Sequence, residues 1–456
     1  MKRLPSQSLF AVLAFGVAVA LTVHSGMDLR AQDATKNPNG VPGAAPNGAP
    51  GGPGGAPDGA KQTGAGRGQA KGGGGRGRAA VDTLGAGPWD LKTEKGNVHV
   101  SVITKGLDHP WGLAILPDGD MLVTERPGRL RWVHNGVLDP TPLGPLPEIR
   151  ARSLGGMLDI ALHPNFAQNH LIYFTYVKPG PPENPAHATT AVGRARWDGG
   201  TTLSDVKDIF VAEAWFGGTN APKGCCGQGP ADGNSHGSRM AFDKAGYLFV
   251  TSGDRNYGEL AQDPATDIGK ILRIRDDGTV PPDNPFVGKP GYRPEIWTIG
   301  NRNPLGLAFN PVTGELWESE FGPRGGDEVN LIKKGANYGW ILVTHGEHYN
   351  GAPSEKTHEG MEEPVLHWEP VINPGNLAFY YADKFPQWKG NLVMATMTRS
   401  VLRVTFDDQG NPTGQERMLT ELNQRMRDLR IGADGYIYLL TDETFGAVLK
   451  MEPGPQ

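Results

Sequence analysis

Residues 299–330 carry side chains whose types and spacing suit the binding of a charged ligand. Arg302 and Asn303 come first, the turn Gly322-Pro323 follows, and the carboxylates Asp327 and Glu328 come soon after. A guanidinium pairs its donors with the oxygens of an anion. Carboxylate and backbone carbonyl oxygens are the ligands that a hard cation such as Ca²⁺ takes. This segment therefore predicts a site that holds an anionic ligand and a hard cation together.

A general base is the second chemical group that the sequence offers. His236 lies in the run from Asn234 to Arg239, and His163 precedes a Pro-Asn turn. A neutral imidazole has a pKa near the working pH of most enzymes, so either ring can remove a proton from a hydroxyl group. No His or Cys cluster has the spacing of a zinc site.

A pair of cations lies near the end of the chain. Arg425 and Arg427 are two residues apart, so in a strand they share one face. An exposed arginine is most often a solvated surface charge that contributes little. Two like charges side by side favour an anion between them, and the pair is therefore a second candidate for binding an anionic ligand.

The elements that position these residues form a repeat. A short apolar strand, a turn built on Pro, Asp, Asn or Gly, and a second β-rich strand occur six times, at residues 112–124, 158–174, 239–250, 307–317, 391–404 and 429–440. Each unit is typical of a hairpin with a tight polar turn, and helical periodicity is scarce. A single hairpin cannot bury its own faces, so the repetition indicates stacking.

Radial stacking predicts an all-β fold, a six-bladed β-propeller, because that arrangement leaves only short, protected strand edges. Five and seven blades are the alternative counts. A β-sandwich is disfavoured, since it would not repeat the same turn chemistry six times.

The chain divides into three parts. Residues 1–32 carry Lys2 and Arg3, then an apolar run from Leu9 to Val23, which is typical of a secretory signal. About fifteen apolar residues are too few for a bilayer span. Residues 33–82 are rich in Gly, Pro and Ala and predict a disordered linker. Residues 83–456 are predicted to form the propeller, and the protein is expected to be periplasmic or secreted, with no stable membrane span.

The net charge of −5 argues against nucleic acid as a partner. With only two cysteines, which are adjacent at Cys225 and Cys226, the sequence offers no disulfide framework. We therefore expect packing to stabilise the fold.

Several motifs occur along the chain in an order that resembles the soluble glucose/sorbosone dehydrogenase family, over about residues 95–452. They include Trp111-Gly112-Leu113-Ala114, Gly156-Met157-Leu158, Gly237-Ser238-Arg239, Gly253-Asp254, Gly269-Lys270-Ile271-Leu272-Arg273, Arg302-Asn303-Pro304, Asn337-Tyr338-Gly339-Trp340 and Arg425-Met426-Arg427-Asp428. This family contains soluble aldose sugar dehydrogenases that use pyrroloquinoline quinone (PQQ) and calcium. The resemblance implies a six-bladed propeller that oxidises aldoses to lactones and transfers a hydride to PQQ.

The resemblance also implies roles for individual residues. His236 becomes the base, whereas the turn that holds His163 is structural in the family. PQQ is expected to contact Arg302 near its reactive carbonyl, and its other contacts are Asn303, Arg425, Arg427, Arg399 and Lys270. The carbonyls of Gly322 and Pro323 are expected to hold the catalytic calcium, and Asp254 is expected at the substrate. A second, structural calcium is expected at Glu328, the carbonyl of Tyr338 and Asp327.

Three features bear on how far the resemblance extends. His236 abuts Gly237, whereas the family has one more residue between them, so the ring turns away in an extended segment unless a bulge compensates. Leu154 replaces a glutamine found in glucose-oxidising members, so the preferred sugar does not transfer. Cys225 and Cys226 form either a vicinal disulfide near the cofactor, by analogy with other quinoproteins, or free or intermolecular thiols.

The expected partners are a small sugar and an external electron acceptor, either a quinone or a cytochrome. A propeller lactonase with one central divalent ion is the alternative enzyme, although it has no use for Arg425 and Arg427. A non-catalytic binding propeller is the alternative of another class, because a fold does not fix a function. Hedgehog-interacting proteins resemble the same family.

Overall fold

The computed structural model describes residues 81–217 and 234–455. The predicted signal segment, nearly all of the predicted linker, and Cys225-Cys226 lie outside these ranges. Within them, no helix has the length and apolar character needed to cross a bilayer.

The described chain is built almost entirely of β-strands. In chain order they are β1 Trp89–Leu91, β2 Val98–Leu107, β3 Pro110–Ile115, β4 Met121–Glu125, β5 Arg129–His134, β6 Val137–Leu138, β7 Met157–Leu162, β8 Leu171–Pro179, β9 Ala188–Arg196, β10 Ser204–Val211, β11 Gly237–Phe242, β12 Leu248–Ser252, β13 Lys270–Ile274, β14 Ile296–Ile299, β15 Pro304–Phe309, β16 Leu316–Glu320, β17 Asp327–Ile332, β18 Leu366–Trp368, β19 Pro374–Phe379, β20 Leu392–Thr396, β21 Ser400–Phe406, β22 Pro412–Met418, β23 Met426–Ile431, β24 Ile437–Thr441 and β25 Gly446–Pro453. The helical pieces are short: α1 Phe166–Asn169 and the 3₁₀ turns Gly258–Ala261, Pro386–Trp388 and Thr420–Leu422.

These strands form six antiparallel sheets, which are the blades of a propeller. Five sheets have four strands each, and the sixth has five strands in the order β1-β2-β25-β24-β23. In this last sheet β2 pairs with β25 from Val98 opposite Pro453 to Leu107 opposite Gly446. The two ends of the described chain thus close the ring within one blade.

The core lies between neighbouring blades. The second strands of five blades, β4, β12, β16, β20 and β24, are buried at every position. One apolar cluster joins Tyr173 and Val192 of one blade to Met240 and Val250 of the next. Each sheet therefore buries both faces against its neighbours, which is why a single hairpin of this sequence could not be stable alone.

The first strand of each blade lies innermost. Strands β3, β7, β11, β15, β19 and β23 contact one another in that order, and β23 contacts β3 to complete the circle. They start on one face of the propeller. The turns between second and third strands share that face, because neighbouring strands are antiparallel. We call it the cleft face.

The predicted six-bladed propeller is confirmed, with one error of assignment within a blade. Five of the six sequence units are hairpins of a first and a second strand. The unit at 391–404 instead comprises β20 and β21, the second and third strands of its blade. The inner strand Pro374–Phe379 was missed because it reads PGNLAF, with a proline, two small residues and few β-branched side chains.

Candidate active site

A cleft of about 520 Å³ opens where the inner strands begin. Its lining combines three arginines, one histidine and several amides with apolar side chains, and contains no Asp or Glu among the described residues. The lining residues are Trp111, Leu154, Leu158, Asn234, Ser235, His236, Gly237, Asn256, Arg302, Asn303, Leu305, Phe321, Gly322, Pro323, Tyr349, Asn373, Met397, Arg425 and Arg427. A cleft of this composition suits an anionic ligand with a flat apolar body.

His236 immediately precedes β11 and lines this cleft, with 4% of its surface exposed. Its ring meets the ring of Phe216 edge to face, with centroids 5.3 Å apart. A β-carbon at Gly155 would lie 2.8 Å from Nε2 of His236, so only glycine leaves room for the imidazole there. The backbone carbonyl of His236 accepts hydrogen bonds from Gly253 N–H and the Ser238 hydroxyl, both at 3.1 Å.

The backbone around His236 is irregular, and the innermost strand pairings of the other five blades carry similar register shifts. The pairing of β11 with β12 shifts register between Gly237 and Met240. Ser235, Gly237 and Ser238 have φ values of 49°, 60° and 79°. This departure from extended geometry is the kind of bulge that redirects a side chain. The ring of His236 lines the cleft.

The rival His163 lies on the opposite face, in the turn between β7 and β8. Its Nε2 is 3.6 Å from a carboxylate oxygen of Asp276, and burial lowers its pKa. It does not line the cleft.

Arg302 is held in the cleft by the turn that follows β16. One guanidinium nitrogen donates to the carbonyls of Phe321 (2.8 Å) and Gly322 (2.7 Å). The guanidinium also lies 5.1 Å from the ring centroid of Trp340. Arg302 N–H donates to a carboxylate oxygen of Glu320 (2.7 Å). Next to it, the side-chain oxygen of Asn303 accepts a hydrogen bond from Gly237 N–H, which ties Arg302 to the strand of the base.

Asp254 is buried and does not line the cleft, and its predicted contact with the substrate stays a prediction. Only 1% of its surface is exposed, and burial raises its pKa. One carboxylate oxygen accepts a hydrogen bond from the indole N–H of Trp340 (2.8 Å), and the other accepts one from Asn256 N–H (2.9 Å). Asp254 thus fixes the indole on which Arg302 lies.

We expect Trp340→Phe to lower the free energy of unfolding by about 1–3 kcal/mol, because it leaves a buried carboxylate oxygen of Asp254 without its donor. Chemical denaturation measures this loss. Trp317→Phe is the matched control, since the buried indole nitrogen of Trp317 has no hydrogen-bond partner among the described residues. An equal loss in both variants would contradict a specific role for the Asp254 hydrogen bond.

Arg425 and Arg427 both line the cleft, and they share an internal anion. Asp442 lies within 3.5 Å of Arg425 and is hydrogen bonded to Arg427. Burial alone would raise the pKa of Asp442, but Arg427, His109 and Arg425 hold it below its ordinary value. The predicted need of this pair for an external anion is therefore met in part by Asp442. Because two guanidiniums share one carboxylate, the group formed by Arg425, Arg427 and Asp442 keeps a net positive charge.

The structure places Lys270 and Arg399 apart from the cleft. Lys270 is fully buried, and its ammonium donates to the carbonyls of Leu260, Ala261 and Ile268 at 2.9, 2.9 and 2.5 Å. Burial lowers its pKa to about 7. Arg399 is exposed in the turn between β20 and β21, where it donates to the side-chain oxygen of Asn423 (2.7 Å). Neither side chain reaches the lining in this arrangement.

The predicted ligands of the catalytic calcium lie together in one turn. The carbonyl of Gly322 accepts from Arg302, and that of Pro323 accepts from the Tyr349 hydroxyl (2.8 Å). Asp327 is buried, and its carboxylate accepts hydrogen bonds from the backbone N–H groups of Gly322, Ile372 and Asn373. Asp327 thus holds the turn at Gly322 against the segment that contains Ile372 and Asn373.

Glu328 belongs to a cluster of three buried carboxylates that the sequence analysis did not identify. Glu318 pairs with Asn330, and Glu320 with Glu328, across β16 and β17. The Asn330 amide donates to Glu318 (3.1 Å) and Glu328 (3.4 Å). Burial raises all three pKa values, that of Glu328 to about 8. The two-residue spacing of Glu318 and Glu320 in a strand was the available sequence signal.

A small cavity beside this cluster is lined by Glu320, Glu328, Tyr338 and Arg302. Among the described residues, no three His, Cys, Asp or Glu side chains are arranged as a metal-binding group. The oxygens of the cluster nevertheless have the chemistry of a calcium site, since one oxygen of Glu318 and the side-chain oxygen of Asn330 accept no hydrogen bond from any residue that the structure describes.

Comparison with known proteins identifies the family. The family model described as glucose / sorbosone dehydrogenase matches residues 107–450. The chain belongs to this family. Among its relatives, aldose sugar dehydrogenase YliI of Escherichia coli K12 is 41% identical over 362 residues, which cover 78% of this chain and 93% of that protein.

Solved structures agree with this assignment to the glucose/sorbosone dehydrogenase family. The apo-form of the soluble aldose sugar dehydrogenase from Escherichia coli has a TM-score of 0.71 and 40% identity, over 78% of this chain and 99% of that one. The PQQ-bound aldose sugar dehydrogenase of Streptomyces coelicolor has a TM-score of 0.63 and 27% identity, over 80% of this chain and 100% of that one.

Proposed function

We propose that this member of the glucose/sorbosone dehydrogenase family is a PQQ- and calcium-dependent aldose dehydrogenase that oxidises the C1 hydroxyl of cyclic sugars to lactones. The observation that carries the proposal is the cleft. It brings His236, Arg302, Asn303, Arg425 and Arg427 together in one lining that contains no carboxylate among the described residues. That combination suits an anionic cofactor next to an imidazole base.

His236 is proposed as the general base. Oxidation of a lactol removes a proton from the hydroxyl group and a hydride from the same carbon. PQQ, when bound, supplies the electrophile that accepts the hydride. The imidazole of His236 takes the proton, and its packing against Phe216 and Gly155 fixes the ring so that its orientation is not lost between turnovers.

The positive charges of the cleft match the negative charges of PQQ. PQQ carries three carboxylates, and the cleft presents the guanidiniums of Arg302, Arg425 and Arg427. Asp442 neutralises part of the charge of the last two, and it also holds both guanidiniums in place. Arg302 is fixed by two carbonyls and an indole ring, so it can meet a developing negative charge with little reorganisation.

Calcium is proposed at two places, supported by the chemistry of the donors. The carbonyls of Gly322 and Pro323 would hold an ion at the cleft. Glu328, with Glu320 and the carbonyl of Tyr338, would hold a structural ion, because three carboxylates buried together are costly without a cation.

Calcium affinity should rise with pH. Burial raises the pKa of Glu328 to about 8, so the ion must displace a proton below that pH. We expect up to about a tenfold gain in affinity per pH unit below about pH 8, for each proton displaced. Calorimetric titration of the apo-protein at several pH values measures it. Glu328→Gln should make the dependence less steep by the one proton that Glu328 releases, because burial also raises the pKa of Glu318 and Glu320. An unchanged dependence in Glu328→Gln would assign it to those other groups.

The lining of the cleft gives less support to the two alternative functions, a lactonase and a non-catalytic binding propeller. A lactonase with a central divalent ion needs carboxylates that converge on the cleft, and no Asp or Glu lines it among the described residues. A purely binding propeller would leave the buried imidazole beside the arginines without a role.

Reconstitution tests the proposed function directly. Purified apo-protein would be combined with PQQ and calcium, separately and together, and assayed for dye reduction with a panel of aldoses. Activity that requires both additions supports the proposal. Binding of PQQ without turnover on any aldose would point to another substrate, and no binding of PQQ would exclude the proposal.

We also propose export to the periplasm or beyond, from the signal-like residues 1–32. Fractionation of cells that express the full chain, with N-terminal sequencing of the product, tests this part. Intact, unprocessed protein in the cytoplasmic fraction would contradict it.

A further inference from the structure

Arg255 is a fully buried arginine in the turn that follows β12, and the proposed reaction has given it no role so far. Arg255 and the next residue, Asn256, have φ values of 54° and 61°. This left-handed region is uncommon for residues other than glycine. The contacts around Arg255 must therefore hold a strained turn, and Asn256 in that turn lines the cleft.

The guanidinium of Arg255 connects three segments of the chain. One terminal nitrogen donates to the carbonyls of Ser235 (2.7 Å) and Gly253 (3.0 Å). The other donates to the Thr190 hydroxyl (2.5 Å), which belongs to β9 in the neighbouring blade. The backbone N–H of Arg255 also donates to the Ser235 carbonyl (3.2 Å). Arg255 thus fixes the residue directly before His236.

The residues on both sides of His236 are held by side chains from elsewhere. Ser235 and Gly237 have φ values of 49° and 60°, so the imidazole follows one left-handed residue and precedes another. Gly237 N–H donates to the side-chain oxygen of Asn303 (3.1 Å). Arg255 does for Ser235 what Asn303 does for Gly237, and the direction of the His236 side chain depends on both contacts.

Phe216 provides a second link between Arg255 and the proposed base. The guanidinium carbon of Arg255 lies 5.7 Å from the centroid of the Phe216 ring, within the range of a cation–π contact. The same ring meets the imidazole of His236 edge to face, with centroids 5.3 Å apart. A displacement of Arg255 therefore reaches His236 both through the backbone and through Phe216.

The electrostatic setting of Arg255 differs from that of other buried arginines. Arg239, Arg403 and Arg427 each form an ion pair with a buried carboxylate. Arg255 forms no ion pair among the described residues, and burial lowers its pKa to about 9, although the charge of Asp254 opposes this shift. A buried charge without an ion pair is costly, and local costs of this kind are typical of functional sites.

We propose that Arg255 is a positioning residue for His236, because its guanidinium holds the Ser235 carbonyl and the Phe216 ring so that the imidazole keeps one orientation in the cleft. The expected effect on rate rests on the proposed dehydrogenase function. The orientation of the ring can be measured without turnover.

The first test is a double-mutant cycle on the reconstituted holoenzyme at saturating sugar. Arg255→Lys keeps the charge but loses the planar fork that reaches Ser235 and Thr190 at once, so kcat should fall by about 10- to 100-fold. In His236→Ala, which has no imidazole to orient, adding Arg255→Lys should lower kcat by less than about 2-fold. The same fold-loss in both backgrounds would mean a merely structural role and would overturn the proposal.

Arg403→Lys is the matched control for this substitution. Arg403 is equally buried, donates to Glu416 and Asn391 within its own blade, and does not line the cleft. Its replacement by lysine should leave kcat within about 2-fold of the wild type. A fall in Arg403→Lys that equals the fall in Arg255→Lys would count against the proposal.

Thr190→Val tests the same contact more gently, in case Arg255→Lys does not fold. It removes one acceptor of the Arg255 guanidinium and keeps the charge and nearly the same side-chain shape. We expect kcat to fall by about 2- to 5-fold in the wild-type background and to remain unchanged in His236→Ala. Equal falls in the two backgrounds would overturn the proposal for this variant as well.

A second measurement, on the apo-protein, needs no turnover. The chain has 12 histidines, and labelling with ¹³C-histidine gives one NMR signal for the ε1 carbon of each ring. The signal of His236 is identified by its loss in His236→Ala. It should shift or split in Arg255→Lys and stay in place in Arg403→Lys. An unmoved His236 signal in Arg255→Lys would overturn the proposal.

The failure of this inference is distinguishable from failure of the proposed function. If Arg255 does not position His236, the unmodified holoenzyme still oxidises aldoses, and the His236 signal stays in place in Arg255→Lys. If the dehydrogenase function is wrong, the unmodified holoenzyme reduces no dye when sugar is added, while the His236 signal still responds to Arg255→Lys.

Discussion

His236→Ala should lower kcat for aldose oxidation by about 10²- to 10⁴-fold, the usual contribution of a positioned general base. The expectation follows from the position of the ring, which lines the cleft and is packed between Phe216 and Gly155. The measurement is steady-state kinetics of the reconstituted protein with a sugar that the wild type oxidises.

Binding and folding must be separated from this loss of rate. The substitution His236→Ala removes no charge that PQQ would need, so the affinity for PQQ should change little. His163→Ala is the matched control, because His163 lies on the opposite face of the propeller. Comparable losses in both variants, or a loss of PQQ binding in His236→Ala, would mean that His236 is not the base.

Arg427→Gln should weaken PQQ binding by about 10²-fold, since hydrogen bonds to a charged group contribute about 1.5–3 kcal/mol. Arg427 is 7% exposed and its guanidinium faces both the cleft and Asp442. Titration of the apo-protein with PQQ, followed by the change in protein fluorescence, gives the affinity without requiring turnover.

Loss of the Asp442 contact can itself change the behaviour of Arg427→Gln, so substitutions at Asp442 provide the control. Arg427→Gln leaves a buried carboxylate with one fewer partner, which alone destabilises the protein. Arg427→Gln/Asp442→Asn removes that unpaired charge, so it should recover stability while PQQ binding stays weak. Asp442→Asn alone leaves both guanidiniums for the cofactor and should not weaken PQQ binding. If the double variant recovers both properties, Arg427 acts only through Asp442.

The arrangement of the cleft explains why these two effects are the largest. The other polar side chains of the lining, besides Arg302 and Arg425, are the amides of four asparagines and the hydroxyls of Ser235 and Tyr349. His236 is the one imidazole of the described lining, and Arg427 is one of its three guanidiniums. His236→Ala therefore removes the proposed base outright, and Arg427→Gln removes one of the three positive charges that PQQ would meet.

The sequence by itself determined the propeller, its six blades and the residue types of the cleft. Turn chemistry and strand alternation are local properties, so they can be read from short segments such as residues 239–250. The inner strand Pro374–Phe379 escaped because its sequence lacks that local signal. His236, Arg302 and the Arg425-Arg427 pair were identified by type and order, and the structure brings all four to one cleft.

The tertiary structure decided which charged groups face the cleft and which are enclosed elsewhere. Asp254 pairs with Trp340, and Lys270 caps three carbonyls, whereas the sequence analysis placed both at the ligand. Asp442 forms ion pairs with Arg425 and Arg427, for which the sequence predicted an external anion. The physical reason for this difference is that a buried charged group must be hydrogen bonded or ion paired, and the packing of blades and loops decides which partner is close enough. Apart from Ile268, these partners lie at least 9 residues along the chain, where no local spacing specifies them.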